Sequence, residues 1–283
     1  MRDPALTVLM PVRAYREDFL REAIGSLHSQ SSPRWRLLLV LEPEDLGGFR
    51  GAHAELLADD RIGLIANEGR KLAGALNTGM RHAKTDFVAI LFADDLWAPE
   101  AVEALTRAID ARPDADFFHS GRCVVDESGQ RISPVYEPRE EVTLAHFGRV
   151  APVKHLLCWR VSKALSFGGM DESLNSVGPD DFDFPWTMAE HGAVFCAVPE
   201  CLYLYRDHRE LFRLTTHLPL STHASELRRI LEKHGVSRAE IRASVKEART
   251  SYLRQCLYRS PLDRALKRLL RADAREGFRE TYT

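Results

Sequence analysis

The five cysteines, Cys123, Cys158, Cys196, Cys201 and Cys256, include no CxxC pair. An odd number at scattered spacing is not a disulfide framework and points to a reducing compartment. No stretch approaches the roughly 18 consecutive apolar residues that a spanning helix needs. The early apolar run Leu6–Val12 is too short for a secretory signal. Internal repeats and low-complexity tracts are missing too, so the expectation is a globular, cytoplasmic protein. Net charge is nearly absent, at −2 over 283 residues. It conceals an asymmetry: from Thr222 onward 15 Lys/Arg face 8 Asp/Glu, whereas the first 221 residues hold 24 against 33. An acidic body argues against a nucleic-acid partner and suits a site that holds cations.

What is present is a chain, 45% hydrophobic, long enough for one large core or a core with an appendage. Short apolar runs at Leu6–Pro11, Arg36–Leu41, Ile62–Ile65, Phe87–Phe92 and Asp116–His119 predict strands. Between them, Phe19 to Leu27, Leu72 to Met80 and Ala101 to Ile109 keep helical spacing. Strand and helix alternating in this way predict an α/β half with a mostly parallel sheet, whose ligands bind at the carboxyl ends of the strands. Cys123 to Ser133 predicts a hairpin turning at Ser128 and Gly129, and 155–162, 193–199 and 201–206 predict further strands. After Thr222 the pattern is helical, with capping boxes at Ser237 and Glu240 and at Ser260 and Asp263.

The run Phe87–Ala93 ends on adjacent carboxylates, Asp94 and Asp95. Like charges so placed need a cation, a helix N-terminus or water. Three readings stay open from the residues alone: a helix cap, a paired acid/base site, or a divalent-metal site. A second cluster, Asp180, Asp181 and Asp183, follows a double glycine just before a helical segment.

In order along the chain stand "LTVLMPVRAY", "PRWRLLLVLEPED", "ANEGRKLAGALNTGM", "FVAILFADDLW", "GGMDESLNSVGPDDFDF" and "YRDH". Together they resemble the inverting family-2 glycosyltransferases of the GT-A fold, over about residues 5 to 210. The resemblance implies a nucleotide-diphospho-sugar transferase fold: a Rossmann-like, mostly parallel sheet flanked by helices. The transferase domain would cover 1–221, with a donor half to about 120 and an acceptor half beyond, and 222–283 would form a basic helical extension. By position, Asp95 matches the metal-binding carboxylate, Asp94 its neighbour at the ribose or metal, and His208 a histidine near the same metal or diphosphate. Asp181 matches the general base, with Asp180 in reserve. Pro11, Val12, Glu42, Asn67, Lys71 and Asn77 fall in the donor-binding region. The cofactor implied is Mn²⁺ or Mg²⁺, and the partners are a UDP- or dTDP-sugar ahead of a GDP-sugar, and a hydroxyl acceptor.

The chain departs from the family pattern at several points. Glu42 stands where Asp is common, Phe92 replaces the first Asp of the metal motif, and Arg13 and Ala14 replace Tyr-Asn. No Gln-x-x-Arg-Trp follows the acidic pair, which argues against a processive synthase. Two alternatives stay open: a nucleotidyltransferase, although "MPVRAYRED" lacks the glycines of a phosphate loop, and a non-catalytic nucleotide-sugar binder. The Arg-rich C-terminal helices are expected to pack on the body or a second subunit; the other reading is docking at the inner face of an anionic membrane.

Overall fold

The computed structural model describes residues 5–148, 151–174, 178–207 and 219–257, with Leu262, Ala265 and Leu269. Its strands are β1 (Leu6–Val12), β2 (Trp35–Leu41), β3 (Ile62–Ala66), β4 (Phe87–Ile90), β5 (Leu96–Trp97), β6 (Phe117–Val125), β7 (Leu157–Arg160) and β8 (Phe195–Arg206). They form one sheet in the order β3-β2-β1-β4-β7-β6-β8-β5. The helices are α1 (Glu17–His28), α2 (Leu46–Ala52), α3 (Lys71–His82), α4 (Ala101–Ala111), α5 (Val161–Leu165), α6 (Phe184–Glu190), α7 (Leu220–Lys233) and α8 (Arg238–Leu257).

β1 is apolar almost throughout because both faces are covered, as in a parallel sheet with helices on each side. Leu6, Val8 and Met10 pack into one core with Leu20 and Ile24 of α1 and Leu105 of α4. Leu9 points the other way, into a core with Leu76 and Met80 of α3, Trp159 and Phe184. Strands β1 to β4 pair in parallel, with Val12 beside Leu41 and Leu41 beside Ala66. Their carboxyl ends therefore form one edge, which Asp94 and Asp95 follow.

The second half is more mixed than alternation predicts. β7 runs antiparallel between β4 and β6, while β6 and β8 are parallel. The two separate strands expected at 193–199 and 201–206 are one, β8. The register jumps from Ser120 beside Val198 to Gly121 beside Cys201, so Pro199 falls in a bulge where no ladder N–H is required. β6 likewise continues past His119 to Val125 and becomes one arm of the expected hairpin. At its tip Oδ1 of Asp126 accepts from the Ser128 and Gln130 amides, both at 3.0 Å.

The start of the C-terminal region packs on the body. Ile230 and Leu231 of α7 and Ile241 and Val245 of α8 share a core with Phe147, Phe182 and Trp186. Ser237 and Glu240 form the expected capping box, their side chains 2.6 Å apart. The second expected box, at Ser260 and Asp263, lies outside the described residues. Leu253 and Leu257 are half exposed, at 52% and 51%. No helix among the described residues is long and apolar enough to cross a membrane.

Candidate active site

At the carboxyl ends of β1 and β2 a cleft of about 390 Å³ is lined by Val12, Arg13, Ala14, Tyr15, Leu41, Glu44, Asp45, Gly48 and Phe49. Tyr15 is braced by its hydroxyl, 3.0 Å from Nε2 of His53, and by an edge contact with Phe49. Pro11 lies within β1 beside Val40. Oε1 of Glu42 accepts from the Asn67 amide at 3.1 Å. Asn67 is itself buried; its Oδ1 accepts from the Gly69 N–H at 2.9 Å, and its Nδ2 also reaches the Lys71 carbonyl at 3.3 Å. It shapes the loop at the end of β3 and orients Glu42. Lys71 is exposed and takes a left-handed backbone, φ +57°, at the start of α3. Ala14 does the same at the end of β1, φ +44°. Non-glycine residues pay about 1–2 kcal/mol for this conformation, and both instances fall on the ligand edge of the sheet.

Asn77, expected among the donor contacts, has a different place. It is 3% exposed, and its amide donates to the Met170 carbonyl at 3.0 Å and to Glu172 at 2.9 Å while accepting from the Met170 N–H at 2.8 Å. With these bonds its side chain joins α3 to the Gly168-Gly169 loop. A Cβ on Gly169, φ +79°, would sit 2.4 Å from Oδ1 of Asn77, so only glycine fits that approach. Glu172 completes the joint by accepting from the Arg70 N–H at 2.9 Å.

The two acidic pairs are each divided in the same way. Asp95 is 2% exposed; Oδ2 accepts from the Tyr203 hydroxyl at 2.6 Å and Oδ1 from the Arg206 N–H at 2.8 Å. Burial first, and the neighbouring Asp94 second, raise its carboxyl well above the ordinary range. Asp94 is partly exposed. The completely buried Arg206 braces this turn: its guanidinium donates to the Asp94 carbonyl at 2.9 Å, to the Glu127 carbonyl at 2.8 Å and to the Glu22 carboxylate. Among the expected metal contacts, then, the more accessible carboxylate of the pair is Asp94, and Asp95 is held by the fold. His208 lies outside the described residues.

The second pair sits in a π-helical turn, Pro179–Asp183, that leads into α6. Gly178 enters it at φ +51°, where an added Cβ would come 2.7 Å from Cβ of Phe182. Asp180 is 5% exposed, with Oδ2 3.3 Å from Nε2 of His155. Asp181 is partly exposed, and burial together with the Asp180 charge pushes its carboxyl up to about 6. Asp183 is buried and accepts from Lys233 at 2.8 and 2.9 Å and from His234 at 3.0 Å, so α7 anchors the turn.

Tyr203 and His155 connect the two pairs. The His155 ring lies 5.1 Å from the Tyr203 ring and 5.5 Å from Phe92, bridging from the partner of Asp95 to the partner of Asp180. Neither residue stands out from sequence. Arg206 does so only as part of "YRDH". Trp97, Trp159 and Trp186 are core residues, at most 5% exposed.

The family model for glycosyl transferase family 2 matches residues 7–153. The O-antigen biosynthesis protein RfbC of Myxococcus xanthus is 28% identical over 209 residues, which is 73% of this chain and 16% of RfbC, so the chain spans about a sixth of that relative. Among the solved structures that share the fold are two complexes. The S. aureus TarS 1–349 complex with UDP-GlcNAc has a TM-score of 0.63 at 16% identity, covering 90% of this chain and 73% of that one. The mannosyltransferase PcManGT from Pyrobaculum calidifontis, in complex with GDP-Man and Mn²⁺, has a TM-score of 0.55 at 19% identity, covering 89% and 70%. The α/β sheet with its helices is thus the GT-A fold.

Proposed function

The chain belongs to glycosyl transferase family 2, and on that premise we propose that it moves one sugar per encounter from a nucleoside diphosphate sugar to a hydroxyl of a saccharide, lipid-linked glycan or secondary metabolite. The carrying observation is the matched division of the two acidic turns. In each, one carboxylate is committed to the fold, Asp95 to Tyr203 and Arg206, Asp180 to His155, and its neighbour, Asp94 or Asp181, is partly exposed.

Asp181 is the general base. Raised to about 6, it is ionised at neutral pH yet basic enough to take the acceptor proton as the hydroxyl attacks the anomeric carbon. A single displacement inverts that carbon and leaves no sugar on the protein. The cleft at β1 and β2, with Tyr15, Glu44, Asp45 and the nearby Glu42, receives the nucleoside. UDP- and dTDP-sugars stand ahead of GDP-sugars as donors; the fold neighbours hold one of each sort, UDP-GlcNAc in TarS and GDP-Man in PcManGT.

Among the described residues no three His, Cys, Asp or Glu side chains converge to hold an ion. The residues nevertheless fit a hard divalent cation, because Mg²⁺ and Mn²⁺ take one or two protein carboxylates and fill their other positions with phosphate and water oxygens. Asp94 would hold it, with Asp95 as the buried anchor and His208 as a further ligand. Bound there, the cation stabilises charge on the diphosphate leaving group. The half-exposed Leu253 and Leu257 support peripheral contact of α8 with a membrane's inner face or a second subunit.

Calorimetry with UDP-, dTDP- and GDP-sugars, with Mn²⁺ and with EDTA, tests the reading on the parent chain, Asp94→Asn and Asp95→Asn. Metal-dependent binding of one donor, lost in Asp94→Asn, is expected, with Asp95→Asn chiefly lowering stability. Absence of binding under every condition would overturn the reading, full transfer by Asp181→Asn would remove Asp181 as the base, and donor binding without turnover by the parent chain would leave only a nucleotide-sugar binder's site.

A further inference from the structure

His155 is buried between the two acidic turns, and its ring nitrogens are treated differently. Nε2 lies 3.3 Å from Oδ2 of Asp180. Nδ1 is buried with no hydrogen-bond partner among the described residues. Nothing there competes with Asp180 for the ring proton, so the Nε2–H form is the one that faces the carboxylate. The other neighbours of the ring are aromatic, Tyr203 at 5.1 Å and Phe92 at 5.5 Å between centroids.

Asp180 is buried as deeply, and among the described residues His155 is its one side-chain partner. The next residue is Asp181, whose carboxyl stands at about 6 through burial first and the Asp180 charge second. A buried carboxylate that loses its partner takes up a proton. His155 therefore decides whether Asp180 carries the charge that acts on Asp181. No other group nearby replaces it. Arg122 of β6 draws the Asp181 carboxyl the opposite way. Asp183 is taken by Lys233 and His234 of α7. The α3 residues packed on this side, Ala73, Leu76 and Met80, carry no charge.

We propose that His155 is a positioning residue for the transfer step: it holds Asp180 as a carboxylate, and that charge beside Asp181 keeps the base able to take the acceptor proton. The inference rests on the reading of Asp181 as the base of a glycosyltransferase. It gives the members of the pair separate tasks, Asp181 meeting the acceptor and Asp180 acting through its neighbour.

The test follows Asp181 directly, by carbon-13 NMR of the full chain labelled at its aspartate carboxyls, with the Asp181 signal identified by its loss in Asp181→Asn. The parent should titrate near 6. His155→Phe keeps a ring against Tyr203 and Phe92 but removes the nitrogens. It withdraws two opposed influences on Asp181, the Asp180 charge that raises it and the histidine that lowers it, of which the first is the larger. The midpoint should therefore fall by about one pH unit. Asp180→Asn, which leaves His155 in place, should give the same fall. His155→Gln, whose amide can reach Asp180, should titrate like the parent. An unmoved midpoint in either His155→Phe or Asp180→Asn would reduce His155 to packing and overturn the proposal. A raised midpoint in His155→Phe would overturn it too, since His155 would then act on Asp181 without Asp180. Calorimetry with UDP-, dTDP- and GDP-sugars should show donor affinity in His155→Phe equal to that of the parent. Failure of every nucleotide sugar to bind the parent would count against the transferase reading itself, wherever Asp181 titrates.

Discussion

The Tyr203 hydroxyl donates to Oδ2 of Asp95 at 2.6 Å, with both side chains buried. Tyr203→Phe keeps the ring and removes the donor. A buried acceptor deprived of its partner costs about 1–3 kcal/mol. Urea denaturation at neutral pH should therefore show a loss of that size with the far-ultraviolet spectrum unaltered; unchanged stability would deny Asp95 its place as the anchor of the pair.

Asp181 works against the fold at neutral pH. Its folded value of about 6 exceeds the unfolded 3.8, so its stabilising contribution is fully present below 3.8 and is lost as pH rises through about 6. Asp181→Asn should abolish transfer and yet be the more stable protein at pH 8, by about 1–3 kcal/mol after allowance for its partial exposure. Thermal melts across pH should show the two converging near pH 4.

Glu172 accepts from two donors, the Arg70 N–H and the Asn77 amide, both at 2.9 Å. Glu172→Gln points an N–H at one of them. The joint between α3 and the Gly168-Gly169 loop should weaken by about 1–3 kcal/mol, with faster hydrogen exchange at residues 67–74 and weaker donor binding. Unchanged exchange would mean that Asn67 alone fixes the loop.

Lys233→Met leaves the buried Asp183 with His234 as its remaining side-chain partner. Lys233 is itself about a third exposed, so the loss should be about 2 kcal/mol, less than for a fully buried pair. Turnover should fall several-fold while donor affinity holds, since α7 braces the turn that carries Asp181. A parallel loss of donor affinity in calorimetry would show that the effect spreads beyond that turn.

Strands β1 to β4 and helices α1, α3 and α4 are legible because each carries a complete apolar period: two-sided runs such as Leu6–Val12, and stripes such as Leu72, Leu76 and Met80. β5 is too short, at two residues, to carry any period. Pro199 reads as a strand end and is instead a bulge, since only pairing with β6 can accommodate it. The acidic pairs are visible as pairs, but which member faces outward is not. Asp94 and Asp95 have the same local chemistry, and the difference is made by Tyr203 and Arg206, more than a hundred residues away. His155 escapes notice for the same reason: a single histidine before an apolar run carries no spacing. Asn77 shows the converse, because its motif position says nothing about where its amide finds partners.

Arg206 closes a circuit among Glu22, Asp94 and Glu127, all synthesised well before it. On the ribosome the first half can assemble its parallel strands as it emerges, but its acidic turn stays unbraced until the end of β8 is released. A nascent or prematurely ended chain thus has the cleft at β1 and β2 without the finished turn beside it. Tying the last strand to the first helix makes the finished acidic turn a property of the translated sheet as a whole.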